Sequence, residues 1–380
     1  MSPAREVCYA RRASPAAPMQ GAAYRAAAGR GQGHVPATGT SILSIGRATP
    51  ALRVTQERSL EYAGYTSDRI RRIFLNTGIA YRHFYFETPP RPDETSDELN
   101  RRYLDGAMAT GGRAVGAGLE AAGLSPRDVD LLVVCTSTGY ACPDIGTRLV
   151  KPVGLRPDIQ RASMTGLGCA GALPALQRAC DFAQAHPGRI ALVLAVEICS
   201  ACYYVDDTLE TVVGNAICAD GASAFLLASG SVAASRYPRM VDFQSLLDPE
   251  QLGLVGMTQR NGKLRIVLGA EVPERAPSLT QGALTPLLAR HGLRQSDIRF
   301  WVVHPGGSKV LDTLQTQLGL TDADLRFART VLRNYGNMSS PTVMFVLDEV
   351  VGNGDPRPGD WGVMTALGPG MAAEAVLLRW

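Results

Sequence analysis

Short, unbroken apolar runs alternate with longer helical patterns along most of this chain. Leu131-Leu-Val-Val-Cys135 and Ile190-Ala-Leu-Val-Leu-Ala-Val196 have the length and apolar continuity of strands buried on both faces. Each follows a helical pattern and a Gly/Pro break: residues 113–122 precede the first, residues 170–185 the second. Such alternation predicts an α/β class with helices layered on a sheet. One unit recurs at an offset of 169 residues. Gly123-Leu-Ser-Pro-Arg-Asp128 leads into Val129–Val134, and Gly292-Leu-Arg-Gln-Ser-Asp297 leads into Ile298–Val303. Both read as helix end, turn and buried strand. Two copies are too few for a solenoid and suit a duplicated α/β unit, although chance recurrence of a common turn gives the same pattern. The boundary between halves is expected near 230–240, giving residues 42–235 and 236–380.

Composition adds limits. A chain of 380 residues that is 46% hydrophobic can bury a core large enough for one large domain or two halves. No apolar run approaches the ~18 residues of a membrane span. The net charge of +3 is unevenly placed. Residues 1–40 hold Arg5, Arg11, Arg12, Arg25 and Arg30 against Glu6, a net of +4, so the remainder carries −1. The body therefore shows no basic stripe for nucleic acid. The first forty residues have too few large apolar side chains to offset the entropy of ordering, and a disordered extension is expected there. An over-extended start is favoured over an Arg-rich transit peptide, and no secretory signal is present. The eight cysteines are scattered through apolar segments, as in a reduced, cytoplasmic protein. Cys199 and Cys202 form a C-x-x-C, but without the second ligand pair a zinc site requires.

Three segments carry candidate chemistry. In Met164-Thr-Gly-Leu-Gly-Cys169-Ala-Gly171, glycines permit a sharp turn from strand into helix. A thiol at that helix start faces free N–H groups and the positive end of the dipole, which favours the thiolate. A small core cysteine is the structural alternative. Of five histidines, only His304 directly follows a buried strand, at Trp301-Val-Val-His304-Pro-Gly-Gly307, where strand ends carry active sites. His186 and His291 are expected in exposed connections. Asn337, in Asn334-Tyr-Gly-Asn337-Met-Ser-Ser340, is either a helix cap or an amide donor to an oxyanion. Cysteine, histidine and asparagine at glycine-flanked turns point together to acyl transfer.

These three motifs, with Leu367-Gly-Pro-Gly370, resemble the active-site signatures of type III polyketide synthases, the chalcone synthase-like branch of the thiolase superfamily. The resemblance covers residues 42–380. It implies a five-layered αβαβα thiolase-like fold of two duplicated halves, usually a homodimer. It implies no bound cofactor and no metal, with coenzyme A thioesters as substrates. Cys169 would take an acyl-CoA starter as a thioester. His304 and Asn337 would hold the thioester oxygen and the enolate formed when malonyl-CoA loses CO2. Iterative extension would end in cyclisation or release of a pyrone, resorcinol or phloroglucinol type of product. Arg69 and Arg72 match basic residues that hold CoA phosphates, and Asn76 stands where the family has a third. Gly306, Gly307, Gly368 and Gly370 match loops along the pantetheine arm. Cys142, Cys199, Cys202, Gly214, Cys218, Ile266 and Ser339 match cavity positions, with Cys142 on a loop that crosses the dimer interface. Cys218 and Ile266 replace two gatekeeper phenylalanines, which implies a wider, aliphatic mouth suited to a fatty acyl starter. The rival readings are a ketoacyl synthase III-like enzyme making one extension, and a non-catalytic acyl-CoA binder. A thiolase proper would need a second catalytic cysteine near the C-terminus, and none follows Cys218.

Overall fold

The computed structural model describes residues 39–86, 90–91, 93–206, 208–230 and 236–380. The extension expected to be unfolded lies almost wholly outside them. In chain order the first part comprises β1 (Thr40–Ala48), β2 (Leu52–Thr55), α1 (Gln56–Ala63), α2 (Asp68–Leu75), β3 (Tyr81–Phe84), α3 (Ser96–Ala122), β4 (Val129–Thr136), α4 (Ile145–Val153), β5 (Gln160–Thr165), α5 (Ala172–Ala185), β6 (Ile190–Ile198), α6 (Leu209–Ile217) and β7 (Asp220–Ala228). The second comprises β8 (Arg239–Leu247), β9 (Val255–Arg260), β10 (Lys263–Leu268), α7 (Val272–Arg290), β11 (Ile298–Val303), α8 (Ser308–Leu318), α9 (Asp322–Tyr335), α10 (Pro341–Asn353), β12 (Trp361–Gly368) and β13 (Ala372–Arg379).

Nine strands form one hydrogen-bonded sheet in the order β11-β12-β13-β8-β1-β7-β6-β4-β5. Its two parts meet only through Thr40–Met240 and Ser41–Arg239, where β1 touches β8. Helix α5 packs on β4, β6 and β7 and also reaches β13, while α10 packs on β11 and β12 and also reaches β6 and β7. These two helices therefore lie between the two parts of the sheet. α3 and α4 cover the outer face of the first part, and α7, backed by α8, covers the second. The result is the expected αβαβα stack. The large core lies around α5 and α10, and a smaller one lies beneath α3.

Local sequence explains the main elements. α3 starts at a reciprocal Thr95–Glu98 capping box and stops at Gly123 in the left-handed conformation. Its glycines bring it into backbone contact with β1: a Cβ on Gly46 would sit 2.1 Å from the Ala114 carbonyl oxygen. Gly123 and Gly292 both have positive φ, each followed by a single 3-10 turn and then β4 or β11. His291, expected to be exposed, is instead partly buried, with Nε2 2.9 Å from Asp242.

Candidate active site

Cys169 lies in a 3-10 turn, Gly168–Ala170, and α5 begins only at Ala172. The turn is held from below. Gly168 N–H donates to Ser137 Oγ at 2.8 Å. A Cβ on Gly368, at the end of β12, would stand 2.6 Å from Ala170 Cβ and 2.7 Å from the Leu167 oxygen. Two strand ends, one from each part of the sheet, thus fix the position of Cys169. Its protonation differs from the sequence-based expectation of a favoured thiolate. The thiol opens into a cavity yet lies deep in the protein, and burial pushes its pKa up to about 12, with hydrogen bonding to Ser339 opposing. Desolvation disfavours the charged form of the thiol.

Asn337 faces Cys169, with Oδ1 and Nδ2 3.9 and 4.0 Å from Sγ. Its backbone is clamped: its N–H donates to the Ile217 carbonyl, and its carbonyl accepts from Ala219 N–H, both at 2.9 Å. Its side-chain Oδ1 accepts from Ser339 N–H at 2.8 Å, which turns the NH2 group toward the Gly306 carbonyl at 3.3 Å. Ser339 achieves this at φ +60°, a left-handed conformation rare for a non-glycine residue and often found at functional sites. His304 directly follows β11 and is buried. Both ring nitrogens lack a partner among the described residues, and burial pulls its pKa down to about 4. The imidazole is therefore neutral, and its buried ring is not among the residues that line the cavity holding Cys169.

Glu197 was not singled out in the sequence, although a lone acid ending the apolar run of β6 is a signal. It is fully buried. One oxygen accepts from Ser137 N–H (2.8 Å), Thr138 N–H (3.1 Å) and Thr138 Oγ1 (2.9 Å). The other accepts from Ser340 Oγ at 2.9 Å and Ser339 Oγ at 3.4 Å. One carboxyl thus ties the segment under the Cys169 turn to the loop carrying Asn337. Burial pushes its pKa up to about 7. Arg82, also fully buried, donates from Nη1 to the carbonyls of Asn215 (2.6 Å) and Cys218 (2.8 Å), which fixes the backbone beside Asn337.

Cys169 and Asn337 line a cavity of about 300 Å3 with Cys199, Cys218, Ile266, Ser339 and Gly370. The remaining wall includes Leu252, Val255, Met257 and Leu268, mostly from the β9–β10 hairpin, which the sequence reading did not assign. Among the described residues no aromatic side chain lines it. The other matched positions fall elsewhere. Gly214 backs Ile266, with 3.5 Å between an added Cβ and that side chain. Gly368 packs under the turn that carries Cys169, against Ala170 and Leu167. Cys202 is a core residue whose thiol donates to the Thr138 carbonyl at 3.2 Å. Cys142 is exposed. Gly306 and Gly307 line a second recess of about 280 Å3 that shares Leu268 with the first. Arg69 lines a third recess, which shares Leu209 with the second. Arg72 is exposed on the same helix.

Residues 56–241 match the family described as FAE1/Type III polyketide synthase-like protein, and residues 240–380 match Chalcone and stilbene synthases, C-terminal domain. A 1,3,6,8-tetrahydroxynaphthalene synthase of Streptomyces peucetius subsp. caesius is 35% identical over 353 residues, covering 90% of this chain and 93% of that protein. A 3,5-dihydroxyphenylacetyl-CoA synthase of Streptomyces toyocaensis is 33% identical over 351 residues, covering 89% and 90%. The crystal structure of 1,3,6,8-tetrahydroxynaphthalene synthase from Streptomyces coelicolor A3(2) matches with a TM-score of 0.83 at 27% identity, over 90% of this chain and 99% of that one.

Proposed function

The chain belongs to the type III polyketide synthase family, and on that premise we propose that Cys169, His304 and Asn337 carry its iterative condensation of malonyl-CoA. The observation that carries the assignment is the facing of Cys169 and the oriented Asn337 amide across one cavity.

In the loading step Cys169 sulfur bonds to the acyl carbonyl carbon and the C–S bond to CoA breaks. The thiol proton passes through neutral His304 to the departing CoA sulfur. Burial keeps the Cys169 thiol protonated and the His304 imidazole neutral before substrate binds. In the extension step the malonyl C–C bond breaks and CO2 leaves. The enolate oxygen is held by Asn337 Nδ2–H and an imidazole N–H. The enolate carbon bonds to the acyl carbon and the C–S bond to Cys169 breaks; the freed thiolate then attacks the CoA thioester of the lengthened chain, whose C–S bond breaks, and the departing CoA sulfur takes a proton from water.

The aliphatic wall supports a fatty acyl starter, since each buried methylene contributes roughly 0.8 kcal/mol. The relatives' names include aromatic polyols and an α-pyrone, so they do not choose among products. We read 42–235 and 236–380 as copies of one α/β unit, supported by the matching turns at Gly123 and Gly292. A homodimer is supported by edge strand β5, five of whose six residues are exposed, and by exposed Cys142 nearby in sequence. Free thiols support the cytoplasm. Intact-mass analysis after incubation with an acyl-CoA tests the nucleophile. An adduct of the acyl mass should form and vanish in Cys169→Ala. An adduct that persists in that variant would overturn the assignment.

A further inference from the structure

Cys199 and Cys202 form a C-x-x-C in sequence, yet the structure gives each a different partner. The Cys202 thiol donates to the Thr138 carbonyl in the core. The Cys199 thiol is buried and hydrogen-bonds to Cys218. Sheet register brings these two together. The last pair of the β6–β7 ladder is Ile198–Asp220, so Cys199 follows it on one strand and Cys218 precedes it by two residues on the other. Continuing the register sets Cys199 opposite Ala219, beside Cys218. Opposed Cα atoms are about 4.5–5.5 Å apart, and one residue along the strand leaves a diagonal separation of about 6 Å. A disulfide spans about 4.4–6.8 Å between Cα atoms. The two thiols are unequal. Both line the cavity that holds Cys169, but Cys218 is the more exposed. Buried Arg82 donates to the Cys218 carbonyl at 2.8 Å, and its positive charge acts on both thiols. Hydrogen bonding to Cys218, with burial, holds the Cys199 thiol well above its ordinary pKa, so Cys199 is the member that keeps its proton. An accessible sulfur beside a guanidinium, backed by a buried protonated thiol, is the arrangement of an attacking and a resolving cysteine.

We propose that Cys218 and Cys199 form an oxidisable dithiol in the cavity wall, closed to a disulfide by a hydroperoxide small enough to enter. Cys218 sulfur bonds to one oxygen of hydrogen peroxide and the O–O bond breaks. The other oxygen leaves as water with the thiol proton, and Cys218 becomes a sulfenic acid. Cys199 sulfur then bonds to Cys218 sulfur, the S–O bond breaks, and the hydroxyl leaves as a second water with the Cys199 proton. Two thiols are oxidised to one disulfide, and one peroxide is reduced to two waters. The bond acts on catalysis through the backbone. Cys218 lies between the Ile217 carbonyl and the Ala219 N–H, the two groups that clamp Asn337, and it forms a bridge with Asn337 itself. Drawing Cys218 toward Cys199 shifts that clamp and displaces the Asn337 amide from Cys169.

The test treats the fully reduced protein with hydrogen peroxide, blocks the remaining thiols, and maps the digested chain by mass spectrometry. A peptide pair joined through Cys199 and Cys218, and separated by dithiothreitol, is expected. Activity is read as CO2 release from malonyl-CoA, and this readout alone rests on the polyketide synthase reading. It should fall about tenfold or more on oxidation and return with dithiothreitol, as misplacement of a catalytic donor requires. In Cys199→Ser and in Cys218→Ser the part of the loss that dithiothreitol reverses, measured against each variant's own starting rate, should vanish. A linkage through Cys169 or Cys202 instead, or irreversible loss with no Cys199–Cys218 linkage, overturns the inference. A Cys199–Cys218 linkage that leaves activity unchanged overturns its coupling to Asn337. Absence of CO2 release from the reduced wild type would instead overturn the polyketide reading, and the peptide map would still decide the dithiol.

Discussion

Gly368→Ala concentrates the strain of one methyl group on the nucleophile. The added Cβ would lie 2.6 Å from Ala170 Cβ, 2.7 Å from the Leu167 carbonyl oxygen and 2.9 Å from the Ala170 nitrogen. Ordinary carbon contacts begin near 3.5 Å, so the turn and β12 must part by about 0.8 Å. Two of the three atoms are backbone of the turn that holds Cys169, and no flexible side chain can yield for them. Overpacking of this kind costs about 1–3 kcal/mol of stability. A nucleophile displaced by a large fraction of an ångström loses roughly 10- to 100-fold in rate, about 1.4–2.7 kcal/mol of barrier. The assay pairs thermal melting with the rate of CO2 release from malonyl-CoA. Gly116→Ala is the control: it lies within α3 with nothing within 4 Å of the added methyl, and should stabilise by about 0.5–1 kcal/mol. A Gly368→Ala enzyme with wild-type turnover and melting temperature would refute the claim that β12 supports the nucleophile turn.

Three further outcomes are expected. Asn337→Ala should lower kcat about 100- to 1000-fold with little change in KM for malonyl-CoA, as steady-state kinetics would show, because it removes the donor proposed for the enolate. Glu197→Gln should alter the pH dependence of stability. The native carboxyl titrates near 7, above its unfolded value of 4.5, so its stabilising contribution is full below pH 4.5 and is lost as pH rises through 7. The difference in melting temperature between variant and wild type should therefore move in the variant's favour between pH 4.5 and 7, and a constant difference would contradict the burial argument. Arg82→Met leaves the Asn215 and Cys218 carbonyls without their buried donor, at about 1–3 kcal/mol each. A chemical denaturation series should show the loss.

Strands β4 and β6 were legible because strands buried on both faces read as unbroken apolar runs. The paired turns at Gly123 and Gly292 were legible because positive φ selects glycine. β5 was not: Gln160-Arg-Ala-Ser-Met-Thr165 lacks both an apolar run and alternation, and it is a strand because it pairs with β4 at an edge. The catalytic candidates showed in sequence because each sits at a glycine-bounded turn. The supports did not, since Glu197 and Arg82 bond mainly to backbone groups and hydroxyls far along the chain, and no spacing rule records such contacts. The cavity wall was half visible. Cys218 and Ile266 stood in recognisable segments, whereas Val255 and Met257 reach the site on β9 through its pairing with β10, and Leu252 reaches it from the turn before that hairpin. Burial also reversed the expectation for the Cys169 thiol, because desolvation depends on the whole fold rather than on the adjoining helix.

The measurement that most directly tests the central claim is product analysis by mass spectrometry. Purified protein would receive malonyl-CoA with acetyl-, phenylacetyl-, coumaroyl- and fatty acyl-CoA starters from six to eighteen carbons, with Cys169→Ala in parallel. Polyketides from more than one extension, best formed from fatty starters and absent in the variant, are expected. A product of single extension, or CO2 release and product formation equal in Cys169→Ala, would contradict the account.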